Sequence, residues 1–208
     1  MNKNKSLLIE MLLSDGSIYF DKSKRTYCIQ FTNKISGMLY LFAKLMKKTY
    51  NLKNSKLNKC SNAVSIRYFS KKIALDLLKY CKNFTTKNNS IKPIIPKEII
   101  ENKKLLCFFL SAYCSCDGCV YSNKSHFCII EIACANNNLK DQLFYCFKKL
   151  NIKSKKIKKG IIISKKSEIK KFALFINFLP ESLVSHSNSK NFGVQKRFLL
   201  NFHIGLSH

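Results

Sequence analysis

The strongest constraint on the fold of this 208-residue chain is an internal repeat. The segment IQFTNKISGMLYLFAKLMKK, beginning at Ile29, aligns without a gap with IEIACANNNLKDQLFYCFKK, beginning at Ile130. The offset between the two segments is 101 residues, and an Asp-Gly pair recurs at an offset of 102, from Asp15 to Asp117. An offset that stays nearly constant over several elements indicates a duplicated structural unit, because chance matches do not keep their spacing.

Both copies follow the same predicted order of helices and strands. Apolar residues at helical spacing precede each Asp-Gly pair, and segments rich in β-branched and aromatic residues follow it. In the first copy a helix ends at Asp15, followed by strands at 17–22 and 25–32, a helix at 35–50, a hairpin at 52–69 and a helix at 71–82. The second copy has a helix at 105–116, strands at 119–123 and 127–134, a helix at 138–150, a lysine-rich hairpin through Gly160 and Ser164, and a helix at 167–178. The order αββαββα, present twice, predicts an α+β protein.

The segments outside the two copies suggest how the chain divides. Residues 83–102 contain FTTKNNS, Pro93 and Pro96, a composition typical of a connector. Residues 180–208 have no clear place in the repeat. We therefore predict a first repeat at 1–83, a linker at 84–102, a second repeat at 103–179, and a C-terminal extension at 180–208 that packs as an extra helix or caps one half.

The chain is strongly basic. Its 38 lysine and arginine residues against 11 acidic residues give a net charge of +27, which indicates a polyanionic partner, with nucleic acid as the leading candidate. Part of the excess also matches the Lys, Asn and Ile bias of an AT-rich genome. Arginine occurs only at Arg25, Arg67 and Arg197, so contacts to phosphate should outnumber bidentate contacts to bases.

The hydrophobic pattern excludes a membrane protein and favours an intracellular one. No apolar run reaches the roughly 18 to 20 residues needed to span a bilayer, and the start MNKNKS lacks the apolar region of a signal peptide. The ten cysteines lie mostly inside apolar runs such as LLCFFLSAYCSCDG, which predicts reduced, buried thiols. We expect a location in the cytoplasm or nucleoid, or in an organelle matrix.

The two Asp-Gly motifs carry a resemblance to a known family. They are LIEMLLSDG, ending at Gly16, and LSAYCSCDG, ending at Gly118. With two hairpins separated by a helix after each, the chain resembles the monomeric, two-motif LAGLIDADG homing endonucleases of the archaeal type. The resemblance covers residues 6–178. It implies motif helices packed along a pseudo-twofold axis, a saddle of antiparallel sheets that binds double-stranded DNA, and cleavage of both strands with Mg²⁺ or Mn²⁺.

The chemistry of phosphodiester hydrolysis explains why aspartates at these positions matter. A divalent metal can activate water and stabilise negative charge at phosphorus and on the leaving oxygen. An aspartate at a helix C-terminus can hold Mg²⁺ together with the last helical carbonyl groups. We therefore predict Asp15 and Asp117 as catalytic metal ligands, with Ser14 and Cys116 beside them. An isolated Asp-Gly is usually only a turn, but two copies at repeat-related positions favour the catalytic interpretation.

The two halves differ in the residues expected around these aspartates. Family members usually have polar or basic residues near the end of the second strand, and here Asn33 and Lys34 are predicted to order water and neutralise charge. The second half has Cys134 and Ala135 there, then Asn136.

The motif helices themselves also differ. The second and third motif positions are usually small in the family, which lets the two helices approach closely. Ser111 and Ala112 fit this pattern, whereas Ile9 and Glu10 do not. A charged Glu10 between the helices would be costly unless it were paired or turned to solvent.

Strand alternation predicts which side chains face the DNA. If Gln30 faces it, Thr26 and Cys28 do so too. Ile29 and Phe31 then face the core helices. Glutamine can pair with adenine, and a glutamate at the repeat-related position can accept from cytosine. The full predicted DNA-binding set is Tyr19, Asp21, Arg25, Thr26, Cys28, Gln30, Arg67, Tyr121, Asn123, Lys124, Glu131, Lys158 and Lys159.

Other interpretations of these features remain open. A metal site at Cys114, Cys116 and Cys119, with His126 and Cys128 nearby, has no standard zinc spacing, and small buried residues explain the pattern better. The same fold without cleavage would suit an intron RNA maturase or a DNA-binding regulator. A general RNA-binding protein would explain the charge but not the duplicated Asp-Gly helices. The two aspartates favour the endonuclease, which we expect to act as a monomer encoded within an intron or similar mobile element.

Overall fold

A computed structural model describes residues 1–52, 55–60, 62–86, 90–123 and 126–205. It confirms an α+β protein built from two similar units. The first unit comprises α1 (Lys3–Asp15), β1 (Gly16–Asp21), β2 (Thr26–Asn33), α2 (Ser36–Tyr50), β3 (Lys56–Cys60), β4 (Ala63–Phe69) and α3 (Lys71–Leu78). The connecting segment contains α4 (Lys97–Glu101). The second unit comprises α5 (Lys103–Asp117), β5 (Gly118–Asn123), β6 (His126–Ala133), α6 (Asn137–Lys149), β7 (Lys155–Ile157), β8 (Gly160–Ile163) and α7 (Lys166–Phe175), and α8 (Lys196–Ile204) follows it.

Each unit forms one antiparallel sheet with the same topology. The strand orders are β1-β2-β4-β3 and β5-β6-β8-β7. In both sheets the strand that follows the motif helix is an edge, and the second and fourth strands of the unit lie in the middle. The equal topology gives the repeat found in the sequence a structural basis.

The two motif helices form the centre of the molecule. Helices α1 and α5 pack against each other, and their middle residues are shielded from solvent on all sides. Leu8, Ile9 and Leu12 of α1 and Phe109 and Leu110 of α5 are all fully buried. A helix that is apolar all round is expected in the interior, because no face of it can be left in water.

Glycine is required where each motif helix ends, because the chain turns directly into a strand. A Cβ atom on Gly16 would lie 2.6 Å from Cα of Leu12, well inside van der Waals contact. A Cβ atom on Gly118 would meet the carbonyl group of Cys114. The Asp-Gly pair therefore combines a carboxylate at the helix end with a residue small enough for the helix-to-strand junction.

The linker is more ordered than its composition predicts. It includes α4, and both Ile95 and Ile99 are buried in the core. The side chain of Gln142 on α6 fixes the segment by accepting from the Ile95 amide at 2.8 Å and donating to the Pro93 carbonyl at 2.9 Å. The prediction of a plain connector missed this helix, because two isoleucines separated by four positions carry too weak a pattern.

The C-terminal extension packs on the second unit and reaches the first. Helix α8 contacts α7, β5 and β6, and Leu199 and Leu200 are buried in the common core. On the other side, a Cβ atom on Gly37 of α2 would lie 3.2 Å from the carbonyl oxygen of Glu181. The extension is therefore an integral part of the molecule that touches both units.

Among the described residues, none of the helices has the length and apolar character required to cross a membrane.

Candidate functional site

The packing of α1 against α5 brings the two predicted aspartates to the same end of the helix pair. Asp15 is the last residue of α1 and Asp117 is the last residue of α5. They are close enough for the negative charge of Asp15 to raise the pKa of Asp117. The structure thus places together two carboxylates that lie 102 positions apart in the sequence.

Asp15 is oriented by the residue predicted to accompany it. The Asn33 side chain donates from Nδ2 to Oδ2 of Asp15 at 2.8 Å. Its own Oδ1 accepts from the Ile35 amide at 2.8 Å, which fixes the rotation of the Asn33 amide group. Lys34 is exposed beside it, at the end of β2. The bond from Asn33 uses one of the two carboxylate oxygens of Asp15.

Asp117 has a different environment. Burial is the main reason that the pKa of Asp117 is raised, and the charge of Asp15 adds to the effect. The positive charge of Lys196 and a hydrogen bond from Tyr113 act in the opposite direction. Sequence reasoning missed both residues. Tyr113 lies one helical turn before Asp117 and could have been found by spacing, whereas Lys196 lies in the extension, for which the repeat provides no guide.

The second half lacks an amide like that of Asn33. Cys134 is buried, and its Sγ contacts the carbonyl oxygen of Asn136 at 3.4 Å. The Asn136 side chain caps α6 and donates to the Ile91 carbonyl at 2.8 Å. The two aspartates are therefore held by different residues, although their positions are equivalent in the repeat.

The residues at the two helix ends fit a hard divalent cation better than a soft one. Two carboxylates are close together, and the helix-terminal carbonyl groups add oxygen donors. Burial raises the pKa of the Cys116 thiol, which keeps it protonated and unsuited to bind a metal through sulfur. The Ser14 hydroxyl donates to the Met11 carbonyl at 3.1 Å and lies close enough to the Cys116 thiol to oppose the rise of its pKa, so the two residues predicted beside the metal lie near each other. Within the described part of the chain, no three His, Cys, Asp or Glu side chains gather into a metal site.

Glu10 is buried between the helices and is neither paired nor turned to solvent. Its side chain is fully buried, and neither carboxylate oxygen has a hydrogen-bond partner of good geometry among the described residues, although the nearby Ser14 side chain acts to lower its pKa. Burial raises the pKa of Glu10 well above its usual value, and the charges of Asp117 and Asp15 raise it further. Burial and the two neighbouring charges therefore favour the protonated form of the carboxyl group, which reduces the cost expected for a charge at this position.

In the first sheet, a polar network lies on the face opposite the core. Ile29 and Phe31 point into the core, so the alternate residue Gln30 points away from it, as predicted. Oε1 of Gln30 accepts from Nε of Arg67 at 2.8 Å and from the Tyr19 hydroxyl at 3.3 Å. The network brings together three of the predicted DNA-binding residues on adjacent strands.

The second sheet repeats part of this network. The Tyr121 hydroxyl donates to Oε2 of Glu131 at 2.8 Å, which corresponds to the contact between Tyr19 and Gln30. Ile162 lies opposite Glu131 on β8, where the first sheet has Arg67 opposite Gln30. The two sheets therefore present similar tyrosines beside side chains of different hydrogen-bonding character.

Several predicted DNA-binding residues are placed differently from the expectation. Cys28, expected to face the DNA, is fully buried, and its thiol lies against the Tyr19 hydroxyl. The carboxylate of Asp21 accepts from Ser23 and Lys24 in the turn after β1, and these bonds lower the pKa of Asp21. One carboxylate oxygen of Asp21 is therefore committed to the turn, which leaves this side chain less able to contact a base than predicted.

The remaining predicted residues lie at the sheet ends or outside the described residues. Thr26 begins β2 and is partly exposed, and Arg25 is exposed in the turn before it with a positive φ of 48°. Lys158 and Lys159 are exposed in the turn between β7 and β8. Asn123 is the last residue of β5. Of the predicted DNA-binding residues, Lys124 lies outside the described part of the chain.

A chain in which two αββαββα units pack through helices ending in Asp-Gly has the LAGLIDADG fold, and the comparisons bear this out. Residues 104–177 match the family model of the LAGLIDADG-like domain. A variant of the homing endonuclease I-DmoI, in complex with its target DNA and in the presence of Mn, is similar with a TM-score of 0.61 and 15% identity. That match covers 84% of this chain and 93% of the other. The resemblance expected from the sequence is confirmed.

Two further structures extend the comparison. I-DmoI in complex with DNA and Ca has a TM-score of 0.57 and 15% identity, over 84% of this chain and 88% of that one. Full-length DUF199/WhiA from Thermatoga maritima has a TM-score of 0.55 and 15% identity, over 86% of this chain and 57% of that one. At these identities the likeness establishes the fold. A comparison with curated protein sequences finds no significant match.

Proposed function

We propose that the protein is a site-specific endonuclease that cuts both strands of double-stranded DNA with the help of Mg²⁺ or Mn²⁺. The observation that carries the proposal is the meeting of Asp15 and Asp117 at the ends of two packed helices, each directly before a sheet. Two aspartates at equivalent positions of the repeat would serve the two strands of a duplex. The similar I-DmoI structures contain target DNA with Mn or Ca, which supports the choice of partner and ion class.

The roles proposed for the residues follow from their positions. Asp15 and Asp117 would hold the metal together with carbonyl oxygens near Ser14 and Cys116. When bound, the metal would activate water and stabilise charge on the scissile phosphate. Asn33 orients Asp15, and the exposed Lys34 that follows it is proposed to offset negative charge.

DNA recognition is assigned to the sheet faces that point away from the core. The predicted contacts include Gln30, Arg67 and Tyr19 in the first sheet and Tyr121 and Glu131 in the second. The net charge of +27 supports binding to the phosphate backbone. Because one chain contains both units, we propose that it acts as a monomer, and a DNA substrate would place it in a nucleoid or an organelle matrix.

A second candidate is a binding protein with the same fold and no cleavage, such as an intron maturase or a DNA-binding regulator. Glu10 is the observation that favours it, since a carboxyl group buried between the two motif helices stands where small residues would let the helices approach closely. The retention of both aspartates favours the endonuclease.

A cleavage assay separates the two candidates. Purified protein is incubated with Mg²⁺ and DNA carrying the uninterrupted form of the host locus, and the products are resolved as nicked or linear. The endonuclease must yield linear DNA, and Asp117→Asn must lose cleavage of at least one strand while its DNA affinity stays within about tenfold, because a metal ligand is not a main source of affinity. Asp141→Asn, at an exposed aspartate on α6, is the matched control and should cut normally. Tight binding without cleavage by the unmodified protein would establish the second candidate instead.

A further inference from the structure

Asp15 and Asp117, each with the residues around it, form two half-sites, and these half-sites are completed in different ways. In the first, Asn33 from the neighbouring strand donates directly to Asp15. At the corresponding place in the second, Cys134 has no amide, and its thiol contacts a main-chain carbonyl group. Within the second repeat, the polar support of Asp117 comes from Tyr113 on its own helix and not from the neighbouring strand.

The C-terminal extension supplies polar groups at the end of α5. Lys196, the first residue of α8, is only 5% exposed, and its Nζ donates to the Ser115 carbonyl oxygen at 2.8 Å. The Ser182 hydroxyl donates to the same oxygen at 2.7 Å, and the Leu179 amide donates to Oγ of Ser115 at 2.7 Å. Two contacts from the extension, and one from Leu179 directly before it, thus converge on the residue two positions before Asp117.

Among the described residues, no side chain donates to the corresponding carbonyl group of the first half-site, whereas two donate to that of Ser115. The residue related to Ser115 by the repeat is Leu13, which is fully buried and apolar. The support at Ser115 is therefore specific to one half of the molecule.

These contacts supply hydrogen-bond donors to the carbonyl end of α5. The last carbonyl groups of a helix have no partner within it, and their partial negative charge favours a nearby cation. Because α5 passes directly into β5, the Ser115 carbonyl needs an outside donor. A buried lysine is rare unless it is paired, since burial costs hydration of the charge. Here the ammonium group donates to the helix-end carbonyl, and its charge partly offsets burial and the charge of Asp15, which together raise the pKa of Asp117 to about 8.

We propose that Lys196 is a positioning residue of the Asp117 half-site, through which the C-terminal extension holds the last turn of α5 and opposes the negative charge collected there. The inference rests on the proposed DNA cleavage. Lys196 then supports the Asp117 half-site as Asn33 supports the Asp15 half-site, although Lys196 lies outside the duplicated unit. Loss of Lys196 should affect one strand of the substrate more than the other.

The test compares Lys196→Met, which removes the charge and keeps most of the volume, with Lys196→Arg, which keeps the charge. Each strand of the target is labelled separately, and the single-turnover rate of cutting each strand is measured. We expect Lys196→Met to change the ratio of the two strand rates by about tenfold or more, as is typical when a residue that orients a metal ligand is removed. Nicked DNA should accumulate, DNA affinity should be unchanged, and Lys196→Arg should restore most of the missing rate.

Lys190→Met, at an exposed lysine in the same extension, is the matched control and should leave both strand rates unchanged. Equal slowing of both strands by Lys196→Met would mean a general structural role and overturns the proposal. Unchanged rates on both strands overturn it as well.

Hydrogen exchange gives a readout that does not depend on cleavage. In Lys196→Met the amides of residues 113–119 should exchange faster than in the unmodified protein, while those of residues 11–16 keep their rate. Faster exchange at residues 113–119 supports the proposed anchoring even if the unmodified protein cuts no DNA. Absence of cleavage would refute only the endonuclease proposal. Unchanged exchange at 113–119 refutes the anchoring.

Discussion

Asn33 donates its side-chain amide to Asp15 at 2.8 Å, while the repeat-related Cys134 makes no equivalent bond and contacts a main-chain carbonyl group instead. The duplicated scaffold has therefore kept its backbone and both aspartates but has diverged in the residues that orient them. Substitutions at these residues and on the proposed DNA-binding faces should have separate, measurable effects.

Removal of the amide at Asn33 should impair one half-site. Without its hydrogen bond, Asp15 can rotate away from the position needed to bind metal, and loss of such an orienting partner typically costs about 10- to 100-fold in activity. We expect Asn33→Ala to slow cutting of one strand by this factor in a single-turnover assay. Asn62→Ala, at an exposed asparagine in the turn between β3 and β4, should have no effect. Unimpaired cutting by Asn33→Ala would show that Asp15 needs no orientation.

Replacement of Glu10 by an apolar residue should stabilise the fold. Its buried carboxyl group has no partner among the described residues, and burial of such a group costs about 1–3 kcal/mol by mutational measures. We expect Glu10→Met to raise the free energy of unfolding in urea by this amount. Glu101→Met, at an exposed glutamate, should change it little. A less stable Glu10→Met protein would point to a partner that holds this carboxylate.

The same substitution should change how stability depends on pH. The pKa of Glu10 is raised on folding, so the folded protein keeps its proton after the unfolded chain has released it. Its contribution is complete below the unfolded value near 4.5 and is lost as the pH rises through the folded value. The advantage of Glu10→Met should therefore grow with increasing pH above about 4.5, as followed by urea unfolding at a series of pH values. An advantage that is constant with pH would mean that Glu10 ionises normally.

Arg67 should contribute to sequence discrimination through Gln30. Its Nε holds Oε1 of Gln30 at 2.8 Å, which orients the amide that can pair with a base. We expect Arg67→Met to reduce discrimination at one base pair by about 1–3 kcal/mol in competition binding with single-base variants of the target. The control is Lys56→Met, which removes a positive charge from the residue directly opposite Arg67 on β3. That control should weaken binding to all sequences equally, and the same uniform loss in Arg67→Met would exclude a role in specificity.

The lysines of the β7–β8 turn should act on the phosphate backbone. Removing one lysine that neutralises a phosphate should reduce the slope of log affinity against log salt by about 0.9, because one fewer counterion is released on binding. Lys158→Ala is expected to show this change in binding titrations at several salt concentrations. Lys104→Ala, at the opposite end of α5 from Asp117, should keep the original slope. Identical slopes in the two variants would remove this turn from the DNA interface.

The duplication determined most of the fold. The constant offset gave both αββαββα units, and the apolar spacing located the two motif helices, because helical and strand periods leave distinct marks in a sequence. The outward position of Gln30 and the inward positions of Ile29 and Phe31 followed from alternation along β2. These features depend on local periodicity, which the sequence displays directly.

Only the tertiary structure decided the contacts between parts of the chain that no local sequence pattern relates. Cys28 follows the alternation that points Gln30 outward, yet it is buried beneath the Tyr19 hydroxyl on the adjacent strand. The pKa of Glu10 is raised rather than held down by an ion pair, because burial and two nearby carboxylates act on it together. Lys196 reaches the end of α5 only because the extension folds back across the second unit, 81 residues after Ser115. A sequence shows which residues share a helix or strand, but the free energy of such long-range contacts depends on packing.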